Sequence, residues 1–486
     1  MADDMFRAPI HHGMRALDRS QFAKTVPLTA ARVFDNKNIS AVRAELERSK
    51  DALQQDRLGS VHADPDPERA QAGTKCILLR PEAATGDSPA SPHSPTVSSL
   101  VTRELISVIP FTLRLDYAYW TYHDIITALL PPSTHAEIPS GFSQVGHIAH
   151  LNLRAAYLAH KHLVAAVLLD KNPSVRTVIN KTDDVGEANA FRTFKYEVLA
   201  GPDDLNVELS EENCLFRFDY SKVYWNSRLN TEHRRLVASF RAGEAVCDVM
   251  AGIGPFAVPA GKKHVFVWAN DLNPDSYASL EDAVRRNKVA AYVKPFNQDG
   301  RSFIRTATAQ LAQAEPHGVE ILPAKAAKKE HRAAAATASS EPPASVTAPV
   351  LRTLLLPQPK VFAHYILNLP ASALTFLPAF VGMYPPPLLP HLPPNNPAAF
   401  PMPLVHVYCF STKSDDNVAE GAEICAEIGR MLGFEMWPGR VGEGEGEGGE
   451  GEGAVEVWDV RDVAPRKRMF CATFRVPREV AFRGVG

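Results

Sequence analysis

The stretch AVCDVMAGIGPF, residues 245–256, decides the fold. Its first half is an apolar run that reads as a buried strand closed by Asp248. Its second half sets Gly252 and Gly254 in a turn ahead of a helix, where backbone can approach a ligand closely. Outward from it the pattern repeats. VFVWAND (265–271), VKPFNQD (293–299), VFAHYILNLP (361–370) and VHVYCFS (405–411) read as further strands, with helices at 274–287 and 417–432 between them. Alternating strand and helix predicts an α/β fold with a doubly wound, mostly parallel sheet. EVWDVRDV (456–463) and RMFCATFRV (468–476) read as a closing hairpin.

Four successive strands end in Asp or Asn: Asp248, Asp271, Asp299 followed by Gly300, and Asn368. Ligands of open α/β sheets bind beyond the carboxyl ends of the strands. Asp271 stands 23 residues after Asp248, where an acid can accept from both hydroxyls of a ribose. Asp299 can reach an adenine amino group, whereas Asp248 is expected to shape the turn. The third Gly of a dinucleotide fingerprint is replaced by Ala257, and the third and fourth polar strand ends are extra. The set therefore points to S-adenosyl-L-methionine rather than NAD. Asn368-Leu369-Pro370 adds a rigid turn that presents an amide able to pair with a base edge.

The rest of the chain bounds the answer. It has 486 residues, a net charge of −3 and 45% hydrophobic residues, enough for a sizeable core. Six Glu and no Lys or Arg lie between Val441 and Glu456; the remainder carries +3, which leaves room for a local basic face. Six Cys without a CxxC pair form neither a disulfide framework nor a zinc pattern, so no metal site is expected. Residues 361–412 lack Asp, Glu, Lys and Arg, but eleven are Pro, so no membrane helix is expected. The predicted organisation is a flexible tail at 1–20, an α+β domain at 21–130, a linker marked by Pro131, Pro132 and Pro139, an α+β middle domain at 140–240 with a helix over 147–168, and the doubly wound domain at 241–486 with disordered insertions at 306–351 and 441–453. Between Met5 and Phe34 the chain is richer in Arg than in acids and weakly amphipathic, the pattern of a faint mitochondrial signal.

Several segments carry a family resemblance. VGHIAHLNLR (145–154), INKTD (179–183), FRTFKYEVLAG (191–201), FDYSKVYWNSRLNTEHRRL (218–236), CDVMAGIGPFAVPA (247–260), NDLNPDSYASL (270–280), NQDGRSF (297–303) and ILNLPASA (366–373) resemble the eukaryotic and archaeal tRNA (guanine-37-N1)-methyltransferases. The resemblance implies a class I, Rossmann-like methyltransferase domain and methyl transfer to N1 of the guanosine 3′ of the anticodon. It implies His233, Asp271, Leu272, Asp299, Gly300 and Asn368 beside the cofactor. Losing the N1 proton moves charge onto O6, which a fixed guanidinium would stabilise. Arg228 is the candidate, with Asn368 orienting the same edge. A carboxylate must take the proton, and Asp299 and Glu232 both stay open. Lys222, Arg234 and Arg235 are expected to meet tRNA phosphates, and the domain at 21–130 the tRNA elbow. The expected protein is a monomer in cytoplasm, nucleus and mitochondrial matrix. Two alternatives remain at this point: an aminocarboxypropyl transferase of wybutosine synthesis, and a tRNA-binding protein without turnover.

Overall fold

The computed structural model describes residues 5–81, 94–182, 191, 193–321, 354–392, 401–441 and 452–484. The chain divides into two compact units, one of residues 1–142, 149–180 and 198–203, the other of 143–148, 181–197 and 204–486.

In the first unit β1 (Lys24–Val33), β2 (Val61–Ala63), β3 (Lys75–Leu79) and β4 (Ile106–Leu115) form an antiparallel sheet in the order β2-β3-β1-β4. Along β1, Val26, Leu28 and Ala30 pack into one core cluster and Ala31 and Val33, on the opposite face, into a second, so both faces of the strand are covered toward its end. A second sheet holds β6 (Ile148–Leu151), β7 (Thr177–Lys181) and β8 (Tyr196–Ala200). Trp120 is fully buried and donates its indole N–H to the Phe22 carbonyl at 2.8 Å.

Three expectations fail here. The tail at 1–20 is not free: from Met5 on it packs, with Met5, Phe6, Met14 and Leu17 on the core, and the His11 amide donates to Ala128. The helix expected over 147–168 is strand β6, a 3₁₀ turn at Ala155–His160 and a helix at Lys161–Lys171. The short apolar run fits both periods, and pairing within a sheet won over helical spacing. The middle domain expected at 140–240 is not one body, since residues 204–240 belong to the second unit.

The second unit is built on an eight-stranded sheet. β11 (Ala245–Asp248), β12 (Phe266–Asn270), β13 (Val293–Phe296), β16 (His364–Leu367), β17 (Leu404–Ser411), β18 (Trp437–Pro438), β19 (Ala454–Ala464) and β20 (Lys467–Arg475) lie in the order β13-β12-β11-β16-β17-β20-β19-β18. β13 to β17 run parallel in that order; β20 is antiparallel to both β17 and β19. From β11 the chain winds one way to β12 and β13, then returns to place β16 on the other side. The strand order reverses at the β11–β16 step, where a crevice opens at the carboxyl ends. Strands β11, β12 and β16 are buried throughout, as both-face covering by helices demands. The doubly wound fold and its closing hairpin are as expected.

The insertion expected from 306 begins too early. Residues 300–313 are one helix whose Phe303, Ile304, Ala307, Thr308, Leu311 and Ala312 are buried, and β14 (Gly318–Ile321) pairs with β15 (Leu354–Pro357). The remainder of that insertion, 322–351, which holds the low-complexity alanine-rich stretch, and residues 442–451 of the second lie outside the described residues.

Candidate active site

The glycine turn after β11 owes its shape to backbone freedom. Gly252 and Gly254 have φ of +58° and +94°. A Cβ on Gly254 would lie 2.6 Å from Leu280 Cδ1, whereas one on Gly252 would meet nothing within 4 Å. Gly254 is therefore needed for packing, and Gly252 leaves open space over the strand end.

Beyond the strand ends lies a cleft whose wall includes Gly252, Asp271, Leu272, Asp299, Gly300 and Asn368. Five of the six residues expected beside the cofactor are thus brought together. Asp271 accepts from the Gly252 amide at 2.8 Å and from the Asn273 amide at 2.9 Å. Burial pushes its carboxyl above the usual range, against those two amides, which pull it down. Asp299 caps the helix Gly300–Gln313: one oxygen accepts from the Arg301 and Ser302 amides at 3.0 and 3.1 Å, leaving the other open. The Asn368 side chain makes no hydrogen bond to another described residue and stands half-buried in the wall. Leu272 is 50% exposed, an apolar side chain at the mouth.

Sequence reasoning missed the residue that binds the loops together. Asn270, fully buried, donates to the Val249 and Gln298 carbonyls at 3.0 Å each and accepts from the Gln298 amide at 2.8 Å. It ties the ends of β11, β12 and β13 to one another. Asn273 caps the helix Pro274–Arg286 and donates to the Lys222 carbonyl. Tyr224, Phe191 and Phe376 also enter the wall.

His233 is not in the wall. It is buried, its Nδ1 lies 2.6 Å from Glu211, and its ring meets Phe256 edge-on at 4.8 Å. It supports the glycine turn from behind. Asp248 is fully buried and neither oxygen has a hydrogen-bond partner among the described residues. Burial, and then the charge of Asp271, hold it well above the usual carboxylate range. Glu232 is also buried: both oxygens bind Arg235 at 2.7 Å and one takes the Tyr408 hydroxyl at 2.7 Å. Arg228 is exposed on the turn before the helix Asn230–Ser239 and reaches the Ser143 hydroxyl at 3.4 Å. Arg234 pairs with Glu212 and Lys222 lies 3.7 Å from Asp275. The charges expected to await phosphates at 222, 234 and 235 thus have carboxylate partners.

A glycine turn at the reversal of a doubly wound sheet, flanked by Asp271, Asp299 and an uncommitted Asn368, defines a nucleoside-binding transferase of the class I methyltransferase type. The TYW2 N-terminal domain family matches residues 122–204 and the TRM5/TYW2 methyltransferase domain family residues 208–314. A tRNA (guanine(37)-N(1))-methyltransferase of Emericella nidulans is 49% identical, covering 99% of this chain and 96% of its own. That of Fusarium vanettenii is 47% identical over 99% and 97%, and that of Schizosaccharomyces pombe 41% over 96% and 95%. The chain belongs to the tRNA (guanine(37)-N(1))-methyltransferase family. Among solved structures, Trm5b of Pyrococcus abyssi shares the fold at a TM-score of 0.51 and 18% identity, covering 92% of this chain and 99% of that one. A complex of aTrm5 with tRNALeu does so at 0.53 and 15%.

Proposed function

We propose the following assignment of residues in the methyl transfer. The protein is an S-adenosyl-L-methionine-dependent enzyme that methylates N1 of guanosine 37 in tRNA, as its near full-length relatives are named. The observation that carries the residue assignment is the meeting of Asp271, Asp299 and Asn368 in one cleft wall.

The cleft's donor set fits the cofactor: acids at successive strand ends for the ribose hydroxyls and the adenine amino group, an open glycine, and an apolar Leu272. When bound, S-adenosyl-L-methionine supplies an electrophilic methyl on sulfonium. Asp271, held in place by two amides, accepts from the ribose. Asp299 offers its uncommitted oxygen to the adenine amino group. Asn368 has a free amide to orient the guanine edge. Arg228 meets O6 once tRNA is bound and stabilises the charge that develops as the N1 proton leaves. Asp299 stands in the wall, whereas Glu232 would have to release Arg235 or Tyr408 to meet a base. The proton acceptor is the one whose amide variant, Asp299→Asn or Glu232→Gln, stops single-turnover methylation while tRNA and S-adenosyl-L-methionine still bind.

The protein acts as a monomer, with the domain at 21–130 on the tRNA elbow. Among the described residues no helix is long and apolar enough to cross a membrane. It works in cytoplasm, nucleus and mitochondrial matrix. The deciding experiment is mass spectrometry of nucleosides from tRNA treated with the purified protein and S-adenosyl-L-methionine. 1-Methylguanosine supports the assignment; an aminocarboxypropyl product or unmodified nucleoside contradicts it.

A further inference from the structure

The closing hairpin lies beyond the residues 208–314 matched by the methyltransferase family. Yet β19 meets the helix Asn230–Ser239 that follows Arg228, with the Trp458 ring centroid 5.0 Å from the Arg235 guanidinium. Its pairing with β20 slips between Asp459 and Arg461 and again between Asp462 and Ala464. Bulges of this kind twist a strand and re-aim its side chains. Arg461, between the two slips, steadies its Nε on the Asp462 carbonyl at 3.0 Å.

Two of the hairpin's acids, Asp459 and Asp462, are already taken. Arg468 holds Asp459 at 2.9 Å and Asp462 at 2.8 Å, and Lys413 also pairs with Asp462. Neither Arg461 nor Arg228 has an ion-pair partner among the described residues; their side chains are seen on a carbonyl and a hydroxyl. Burial, and then the positive charge of Arg228, hold the Arg461 guanidinium below its ordinary value. Aromatic surface accompanies them. Trp458 is 48% exposed, with the Arg235 guanidinium 5.0 Å from its ring centroid, and Tyr224 in the cleft wall is 42% exposed. An unpaired cation and an exposed ring on one strand, here Arg461 and Trp458, are the combination that holds single-stranded nucleic acid, phosphates on the charge and bases on the ring.

We propose that the closing hairpin grips the unpaired nucleotides beside the target base: Arg461 takes a backbone phosphate, and the Trp458 ring stacks on a neighbouring base. This rests on the tRNA reading above. It assigns the hairpin a substrate role: the loop is held while guanosine 37 leaves its stack. Leaving the stack costs a few kcal/mol.

Binding of an anticodon stem-loop RNA, followed over a range of salt without turnover, tests it. Arg461→Gln is expected to weaken binding about 10-fold and to flatten the slope of log affinity against log salt by about 0.7, one phosphate contact on a single strand. Arg461→Lys keeps the charge and should keep the slope. Trp458→Ala is expected to weaken binding about 10-fold, with Trp458→Phe restoring most of it. The saturating methylation rate of Arg461→Gln should stay within about twofold of wild type, since a phosphate contact positions rather than reacts. Wild-type affinity and slope for Arg461→Gln would overturn the proposal, as would an equal loss on a fully paired RNA. If the wild-type protein leaves guanosine 37 unmodified, the methylation reading fails, while the salt slope still judges this one.

Discussion

The Gly252 amide donates to the Asp271 carboxylate at 2.8 Å, so the glycine turn after β11 and the acid after β12 hold one another. With the Asn273 amide on its other oxygen, Asp271 is fixed in a single pose. Asp271→Ala removes a charged acceptor for the ribose and frees the turn. Calorimetry should show S-adenosyl-L-methionine binding weaker by roughly 1.5–3 kcal/mol, on the order of 10- to 150-fold. Unchanged affinity would remove Asp271 from the cofactor site.

Asn270→Ala acts on stability first. It deletes three hydrogen bonds of a fully buried side chain. It also strands the Gln298 amide and two carbonyls away from their partner. Denaturant unfolding should show a loss of about 2–4 kcal/mol. A loss below about 0.5 kcal/mol would show that water or neighbouring groups replace the bonds.

Arg228 is exposed in the protein alone, so its proposed effect belongs to the complex and to the transition state. Arg228→Ala should lower the single-turnover rate at saturating tRNA on the order of 10²–10³-fold. Arg228→Lys should rescue poorly, because a point charge lacks the planar fork. A wild-type saturating rate with only a shifted half-saturation point would make Arg228 a binding residue.

Stability should fall on mild acidification. His406 is buried, its Nε2 lies 2.9 Å from His364 Nδ1 and its Nδ1 2.9 Å from Thr473. Burial, then the charges of His364 and Arg235, hold it well below the ordinary histidine value. Folded protein therefore refuses a proton that the unfolded chain takes at about 6.5. Below that pH the unfolded state binds more protons, so stability drops as pH falls through about 6.5, by up to ~1.36 kcal/mol per pH unit from this group. His406→Gln should flatten the fall between about pH 6.5 and 5. An equally steep fall in the variant would assign the effect elsewhere.

The doubly wound sheet was legible because its strands are apolar runs ending in Asp or Asn, and the same endings marked the cleft. What escaped the sequence depends on partners distant along the chain. Asn270 looks like one more strand residue until β13 is placed beside it. His233 looks like a cofactor contact until β9 (Asn206–Glu211) and β10 (Cys214–Asp219) pair through the positive-φ turn Glu212-Asn213 and deliver Glu211 to it. β9 itself alternates polar and apolar residues, but only Val207 and Leu209 are apolar, too short a run to announce a strand. The helix Gly300–Gln313 was half mistaken for filler because Ala307 and Ala312 gain their meaning only from burial. Arg235 and Glu232, three residues apart on one helix, were read as separate functions and are one ion pair.

In the proposed assignment, methyl transfer to N1 of guanosine 37 runs through a cleft in which Asn368 meets the base. The most direct measurement incubates the purified chain with labelled S-adenosyl-L-methionine and matched unmodified tRNA transcripts carrying guanosine or adenosine at position 37, with Asn368→Ala alongside the wild type. The account predicts label in the guanosine transcript alone, at position 37, and a rate for Asn368→Ala lower by about 10²-fold. Equal labelling of the adenosine transcript, or a wild-type rate for Asn368→Ala, would contradict it.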